Sequence, residues 1–190
     1  MGRAMGSVHP LSLIVVLGSA GSGKTTLARQ LVPEFGCVYL DSDTISEAAF
    51  PGDRESPEYL KARPIIYRTL YDVAFANLKL GNSVLVDAPH VGQILDAEWR
   101  AWVMSETERL GARLRVIHCV ADQNTRRSRL VSRGEARDAV RLANWVEYIR
   151  SDPFRSPILL PHIEIDTGQD MQRNLALARD YLRGTHDSLG

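Results

Sequence analysis

The stretch "VLGSAGSGKTTLARQL", Val16 to Leu31, limits this chain's possible folds more than any other. It sets Gly18, Gly21 and Gly23 close together and follows them at once with Lys24, Thr25 and Thr26. Glycine weakens the interiors of strands and helices alike, so the segment serves a need other than packing. Before it, "LSLIVVL" is a continuous apolar run, the pattern of a strand buried on both faces of a parallel sheet. After it, the spacing predicts a helix from about Lys24 to Val32, stopped near Pro33. "GSAGSGKT" satisfies G-x-x-x-x-G-K-[ST] in full, in the strand–loop–helix context that motif requires. Its glycines let the backbone curl so that several N–H groups point at one anion, and the helix N-terminus adds partial positive charge. The stretch therefore predicts a nucleoside triphosphate cradled by Gly18, Ser19, Ala20, Gly21, Ser22, Gly23, Lys24, Thr25 and Thr26. Lys24 would reach the β- and γ-phosphates, and the Thr25 hydroxyl would hold Mg²⁺. The alternative is an ordinary glycine-rich turn, against which motif and context agree.

Strand and helix patterns alternate along the rest of the chain. "CVYL", "SVLV", "LRVIHCV" and "HIEI" read as four more strands. Helical spacing covers "PEYLKAR" and then "PIIYRTLYDVAFANLKLG", where Ile66, Leu70, Val73 and Asn77 share a face and Gly81 ends the run. "DAEWRAWVMSETERLG" is a helix with Asp96 as N-cap and Gly111 as stop. An arginine-rich helix, a polar break and a helix over "DAVRLANWVEYIRS" follow, and "DMQRNLALARDYLRG" closes the chain. Such alternation implies an α/β layered fold with right-handed crossovers and a parallel sheet. The 190 residues fit one domain, placed at 11–184 between a flexible N-terminus, 1–10, and a tail, 185–190. Ligands in such folds gather at the carboxyl ends of the strands.

Charge and composition narrow the partners. Lys plus Arg and Asp plus Glu are both 23, and this zero balance weighs against a nucleic-acid track but not against one short basic pocket. "LIVVL" is far too short to span a bilayer, and "MGRAMGSVHPLS" lacks the apolar core of a signal peptide. Cys37 and Cys119 lie in strand-like runs and read as reduced core residues rather than a disulfide or metal pair. The expected compartment is the cytoplasm, with no membrane partner.

The carboxylates supply the next constraint. The second strand ends in "YLDSDT", and on an extended chain Asp41 and Asp43 project to the same side. They could be an N-cap and a turn residue. The chemical reading makes Asp41 a Mg²⁺-organising carboxylate and Asp43 a base for a substrate hydroxyl. The third strand ends in "VLVDAPH", which puts Asp87 near the same place as a Walker-B-type residue. Whether Asp41 or Asp87 chiefly organises the metal stays open.

The P-loop, the D-x-D after the second strand and "VLVDAP" after the third resemble small P-loop kinases. These include shikimate and gluconate kinases, the kinase module of polynucleotide kinase, zeta-toxin-like kinases and ATP-binding proteins of the AAA_33 type. The resemblance runs from about Leu11 to Leu182. It implies a P-loop NTPase three-layer sandwich with a five-stranded parallel sheet in the order 2-3-1-4-5. It also implies an arginine-bearing lid over ATP and a loop after the fifth strand that meets adenine.

The lid candidate, about 129–141, lies within "RRSRLVSRGEARDAVR", where Arg129, Arg133, Arg137 and Arg141 recur every four residues and share one face while helical. Gly134 is a flexible break within it. A solvated basic face is the alternative, but four arginines on one face repel unless an anion neutralises them. By resemblance, Arg129 stacks on adenine, and Arg133 and Arg137 contact the transferring phosphoryl group. "IDTGQD" offers Asp166, Thr167 and Gly168 as the base-side loop, and no guanine-reading N-K-x-D element appears, which favours ATP. The implied catalytic set is Lys24, Asp43, Arg133 and Arg137.

The acceptor side is less legible. The substrate-wall helices, about 44–80, hold Phe50, Arg54, Tyr59, Arg63, Tyr67 and Arg68, and His90 and Gln93 follow the third strand. The tyrosines also suit a helix core, and His90 divides evenly between a loop histidine and a substrate contact. The glycine-rich loop that shikimate kinases carry near "DAPHVG" is absent. The expected activity is transfer of the ATP γ-phosphoryl group to a hydroxyl of a small metabolite, with ATP and Mg²⁺. The alternatives are a nucleic-acid 5′-hydroxyl or nucleotide-sugar acceptor, or a nucleotide-dependent switch. The last usually carries a Walker-B Asp-Glu pair, which "VDAP" lacks.

Overall fold

β1 (Ser12–Leu17) is buried along its whole length and alternates its side chains between two cores. Leu13, Val15 and Leu17 enter one core, and Ile14 and Val16 the other. A strand can do this only at the centre of a sheet covered on both sides. The computed structural model, which describes residues 9–50, 56–90 and 92–184, shows that arrangement. β1 pairs in parallel with β3 (Val84–Asp87) and β4 (Arg113–Val120); β2 (Val38–Asp41) flanks β3, and β5 (Ile163–Asp166) flanks β4. The order is β2-β3-β1-β4-β5, as expected.

Helices complete three layers. α1 (Lys24–Phe35) and α8 (Met171–Arg183) cover one face through Leu27, Leu31, Leu175 and Leu182. α3 (Pro57–Lys79) and α4 (Ala97–Arg109) cover the other through Tyr67, Leu70, Tyr71 and Val103. Asp96 caps α4, accepting from the N–H groups of Glu98 and Trp99.

Several boundaries differ from expectation. α1 does not stop at Pro33 but continues to Phe35, where Gly36 closes it with an N–H to the Val32 carbonyl. Proline in the last turn gives up only the one helical hydrogen bond of its missing N–H, and the left-handed Gly36 ends the helix. α3 is one helix with Pro64 inside it, and its buried face runs through Tyr67, Leu70, Tyr71, Ala74, Phe75 and Leu78. Val73, expected on that face, is exposed, because the packed stripe also takes in the aromatic positions beside Leu70. The helix expected over "DAVRLANWVEYIRS" breaks at Asn144 into α6 (Ala139–Ala143) and α7 (Trp145–Arg150). α5 spans Gln123–Arg133, and a short α2, Ser42–Ala49, starts directly after β2.

Cys119 is buried and Cys37 half-buried, both free thiols. Among the described residues no helix is long and apolar enough to cross a membrane. Arg54, residues 1–8 and the 185–190 tail lie outside the described residues.

All five strands run the same way, so their carboxyl ends share one edge. There Asp41 stands level with Asp87, Val16 with Asp87, and Val120 with Asp166.

Candidate active site

The loop between β1 and α1 needs its glycines for two reasons. Gly21 and Gly23 have φ of 78° and 80°, the left-handed region. A Cβ at Gly21 would also lie 2.7 Å from the Arg126 carbonyl oxygen, and one at Gly23 2.8 Å from Thr167 Oγ1. Any side chain would push the loop off α5 and off the turn after β5. Gly23 is the N-cap of α1, with no side-chain cap and no acidic residue in the first turn. The first N–H groups of α1 therefore have no side-chain acceptor of their own, the condition for anion binding at a helix N-terminus.

A cavity of about 330 Å³ opens on this loop, lined by Gly21, Gly23, Thr25, Thr26, Arg129 and Thr167 among others. Arg129 donates to the Gly21 carbonyl at 3.2 Å, to Thr167 Oγ1 at 2.8 Å and to the Thr167 carbonyl at 2.7 Å. Thr167 Oγ1 in turn donates to the Ser22 carbonyl at 2.7 Å. Arg129 thus ties the glycine loop to the turn after β5. Asp166 accepts from the Gly168 N–H at 2.9 Å and from the Gln169 side chain at 3.0 Å, so it shapes its own turn.

Asp87 is fully buried; Oδ2 accepts from the Tyr39 hydroxyl at 2.8 Å, while Oδ1 has no hydrogen-bond partner. Burial raises its pKa, opposed first by the Lys24 charge and then by the Thr25 hydroxyl. Asp41 Oδ1 accepts from the Asp43 N–H at 2.8 Å and Oδ2 from the Thr44 hydroxyl at 3.3 Å, so Asp41 does cap α2. The extended-chain argument for Asp41 and Asp43 fails here, since β2 ends at Asp41 and Asp43 lies in the first turn of α2. Among the described residues no group of three or more His, Cys, Asp and Glu could hold a metal ion. Two strand-end carboxylates, one with an orphaned buried oxygen, beside the Thr25 hydroxyl suit Mg²⁺, which keeps waters and takes phosphate oxygens. Tyr39, which orients Asp87, was not anticipated; nothing in "CVYL" sets it apart from a core tyrosine.

A second cavity, about 230 Å³, is lined by Asp43, Tyr59, Arg63, Tyr67, Arg137 and Arg141 among others. Lys24 and Arg133 border both cavities. Asp43 pairs with Arg137 at 3.2 Å. Arg133 and Arg141 both pair with Asp138, which is fully buried. The four arginines therefore do not share one helix face. α5 stops at Arg133, Gly134 takes φ of 65°, and Arg137 falls in a short 3₁₀ turn. Asp138 and Asp43 already supply anions to three of these arginines, which the expectation of mutual repulsion omitted. The Asp138–Arg141 pair is an i,i+3 contact after Gly134, whereas Arg133 reaches Asp138 across the break at Gly134.

Other expected acceptor contacts separate. Phe50 meets Tyr59 edge-on at 5.9 Å between centroids. Arg68 lies over Trp102 at 4.2 Å and pairs with Asp72 at the surface, away from the cavity. Gln93 opens a 3₁₀ turn before α4. His90 is fully buried behind Tyr67: Nδ1–H donates to the Ala88 carbonyl at 2.8 Å, Nε2 accepts from the Tyr71 hydroxyl at 2.7 Å, and the backbone N–H donates to Tyr67 at 3.3 Å. It is a structural histidine.

Burial lowers the His90 pKa to about 4. The folded state then refuses a proton that the unfolded chain takes up below about 6.5. The His90 contribution to stability is therefore expected to be flat above that pH and to fall by about 3 kcal/mol as pH drops toward 4. Asn tolerates the φ of 57° found at this position. Urea titrations at pH 7 and pH 5 should show a shallower acid loss in His90→Asn than in the parent chain.

A further network clamps the front of the glycine loop. Ser19 Oγ donates to Asp152 at 2.8 Å, Arg126 donates to Asp152 at 2.7 Å and to the Ala20 carbonyl at 3.1 Å, and the Ala20 N–H donates to Tyr148 at 3.1 Å. These partners lie more than a hundred residues apart or are separated by the 129–141 segment, so no local pattern announces them. Asp152→Ala would leave the buried Arg126 charge unpaired, at an expected cost of about 3–5 kcal/mol by denaturant unfolding.

The profile of the AAA_33 family, described as an AAA domain, matches residues 13–151. No curated protein matches the chain significantly. Among solved structures, a protein from Chloroflexus aurantiacus J-10-fl is 24% identical, with a TM-score of 0.68 over 90% of this chain and 98% of that one. A sugar kinase from Janibacter sp. HTCC2649 is 20% identical, with a TM-score of 0.63 over 91% and 95%. The APS kinase of Mycobacterium tuberculosis, solved with AMPPNP and APS, is 21% identical, with a TM-score of 0.57 over 91% and 98%. These likenesses establish the P-loop NTPase fold.

Proposed function

Because the chain belongs to the AAA_33 family of AAA domains, we propose that it is an ATP-dependent phosphotransferase that moves the γ-phosphoryl group to a hydroxyl of a small metabolite. The observation that carries this reading is the pair of cavities that meet at Lys24 and Arg133, one opening on the glycine loop and the other on Asp43. A binding module needs only the first. Kinases among the similar structures, one solved with AMPPNP, support it.

The nucleotide's phosphates lie along the N–H groups of Gly18 to Thr26, and Lys24 offsets charge on the β- and γ-phosphates. Asp43 orients the acceptor hydroxyl and accepts its proton. The new bond joins that oxygen to the γ-phosphorus, the bond from the γ-phosphorus to the bridging oxygen breaks, and ADP departs with the bridging electrons. Arg133 and Arg137 face the transferring group, and the segment about 129–141 acts as the lid. Arg129, Asp166, Thr167 and Gly168 border the base. Thr25, Asp41 and Asp87 would hold Mg²⁺, which supplies positive charge to phosphate oxygens when bound. The cytoplasm suits a chain with two free thiols.

An ATP-consumption screen over metabolite pools, with products identified by mass, tests the reading. The expected result is a pool that accelerates ADP formation and yields a product heavier by one phosphoryl group. ATP turnover that no acceptor stimulates would sink it.

A further inference from the structure

The acceptor cavity carries more positive charge than phosphoryl transfer needs. Lys24, Arg63, Arg133, Arg137 and Arg141 line it, against Asp43. Lys24 and Arg133 also border the nucleotide cavity and are drawn to the triphosphate. Arg137 is engaged with Asp43, and Arg141 with the buried Asp138. Arg63 alone of the five lines only the acceptor cavity and makes no hydrogen bond or ion pair among the described residues.

Its position is built by α3. Tyr59, Arg63 and Tyr67 are spaced by four along the helix, so they share one face, and all three line the cavity. Both tyrosines are nearly buried, which fixes the wall on either side of the guanidinium. The Tyr67 hydroxyl accepts the His90 N–H, so its own hydrogen is available to an acceptor beside Arg63. An arginine between two buried tyrosines, with a neutral hydroxyl donor close by, matches a planar or tetrahedral oxyanion.

We infer that the phosphoryl acceptor is itself an anion: a hydroxylated small molecule whose carboxylate or phosphate group docks on Arg63 and Tyr67 while its hydroxyl meets Asp43. This rests on the phosphotransferase reading and narrows its substrate class. Neutral polyols lack the group that Arg63 would bind and leave that guanidinium unpaired in the cavity.

Protein saturated with AMPPNP and Mg²⁺, so that the glycine loop is filled, is titrated in separate calorimetric runs with inorganic phosphate, glycerate and glycerol. Phosphate or glycerate is expected to bind and glycerol not. The tighter of the two anions identifies the docked group as a phosphate ester or a carboxylate. Arg63→Gln should weaken anion binding about 10- to 100-fold while AMPPNP affinity, which also reports folding, stays unchanged. Arg63→Lys should retain part of the binding. Equal anion binding by Arg63→Gln, no anion binding by the parent, or glycerol binding as well as glycerate would each overturn the inference. Failure of the parent to bind AMPPNP would instead sink the phosphotransferase reading itself.

Discussion

Lys24→Ala is expected to abolish phosphoryl transfer and leave the fold intact. Lys24 lines both cavities and belongs to neither hydrophobic core, so truncation opens no core void. In the proposed reaction its ammonium meets the phosphates where negative charge shifts during transfer, and losing one preorganised donor of this kind costs about 10²–10³-fold. A second effect adds to this. Lys24 is the leading influence that holds the buried Asp87 carboxyl down against burial. Without it Asp87 moves further toward its neutral form and holds a cation less well. ATP consumption by the purified variant, beside thermal unfolding of both proteins, checks the expectation. Full activity in a folded Lys24→Ala protein would rule out the P-loop assignment.

How far the sequence could be read depends on whether a residue's role is local. The glycine loop was legible because its motif and its flanking strand and helix are contiguous. The sheet order came with the resemblance rather than from periodicity. Asp41 and Asp87 were placed at strand ends by "VYLD" and "VLVD", and the structure sets them level on neighbouring strands. Roles set by folding were not legible. Ser19 meets Asp152 across 133 positions, and Tyr39 meets Asp87 across 48. Asp138 is local, lying between Arg137 and Arg141, but its pairing with Arg133 spans the break at Gly134, which the four-residue arginine period does not show. The α3 face was misjudged at Val73 because Tyr71 and Phe75, with their larger apolar area, turn the helix toward themselves.

The two acids at the start of α2 should prove unequal. Asp43 faces the acceptor cavity, where its pairing with Arg137 fixes its direction. A carboxylate so held chiefly orients the substrate hydroxyl, and positioned acid–base help of this kind is worth about 10²–10⁴-fold. Asp43→Asn is therefore expected to lower the turnover number by about that factor with ATP affinity nearly unchanged. Asp41 stands level with Asp87 and caps α2 through the Asp43 N–H. Asparagine caps a helix about as well as aspartate, so Asp41→Asn keeps α2 and removes only the charge. It should raise the Mg²⁺ concentration needed for half-maximal rate while the rate at saturating Mg²⁺ recovers. Titrating Mg²⁺ against rate in both variants separates the roles. Rescue of Asp43→Asn by excess Mg²⁺, without rescue of Asp41→Asn, would reverse the assignment. If neither substitution changes the rate, the two acids only cap and brace α2, and the phosphotransferase reading loses the residue that should meet its acceptor.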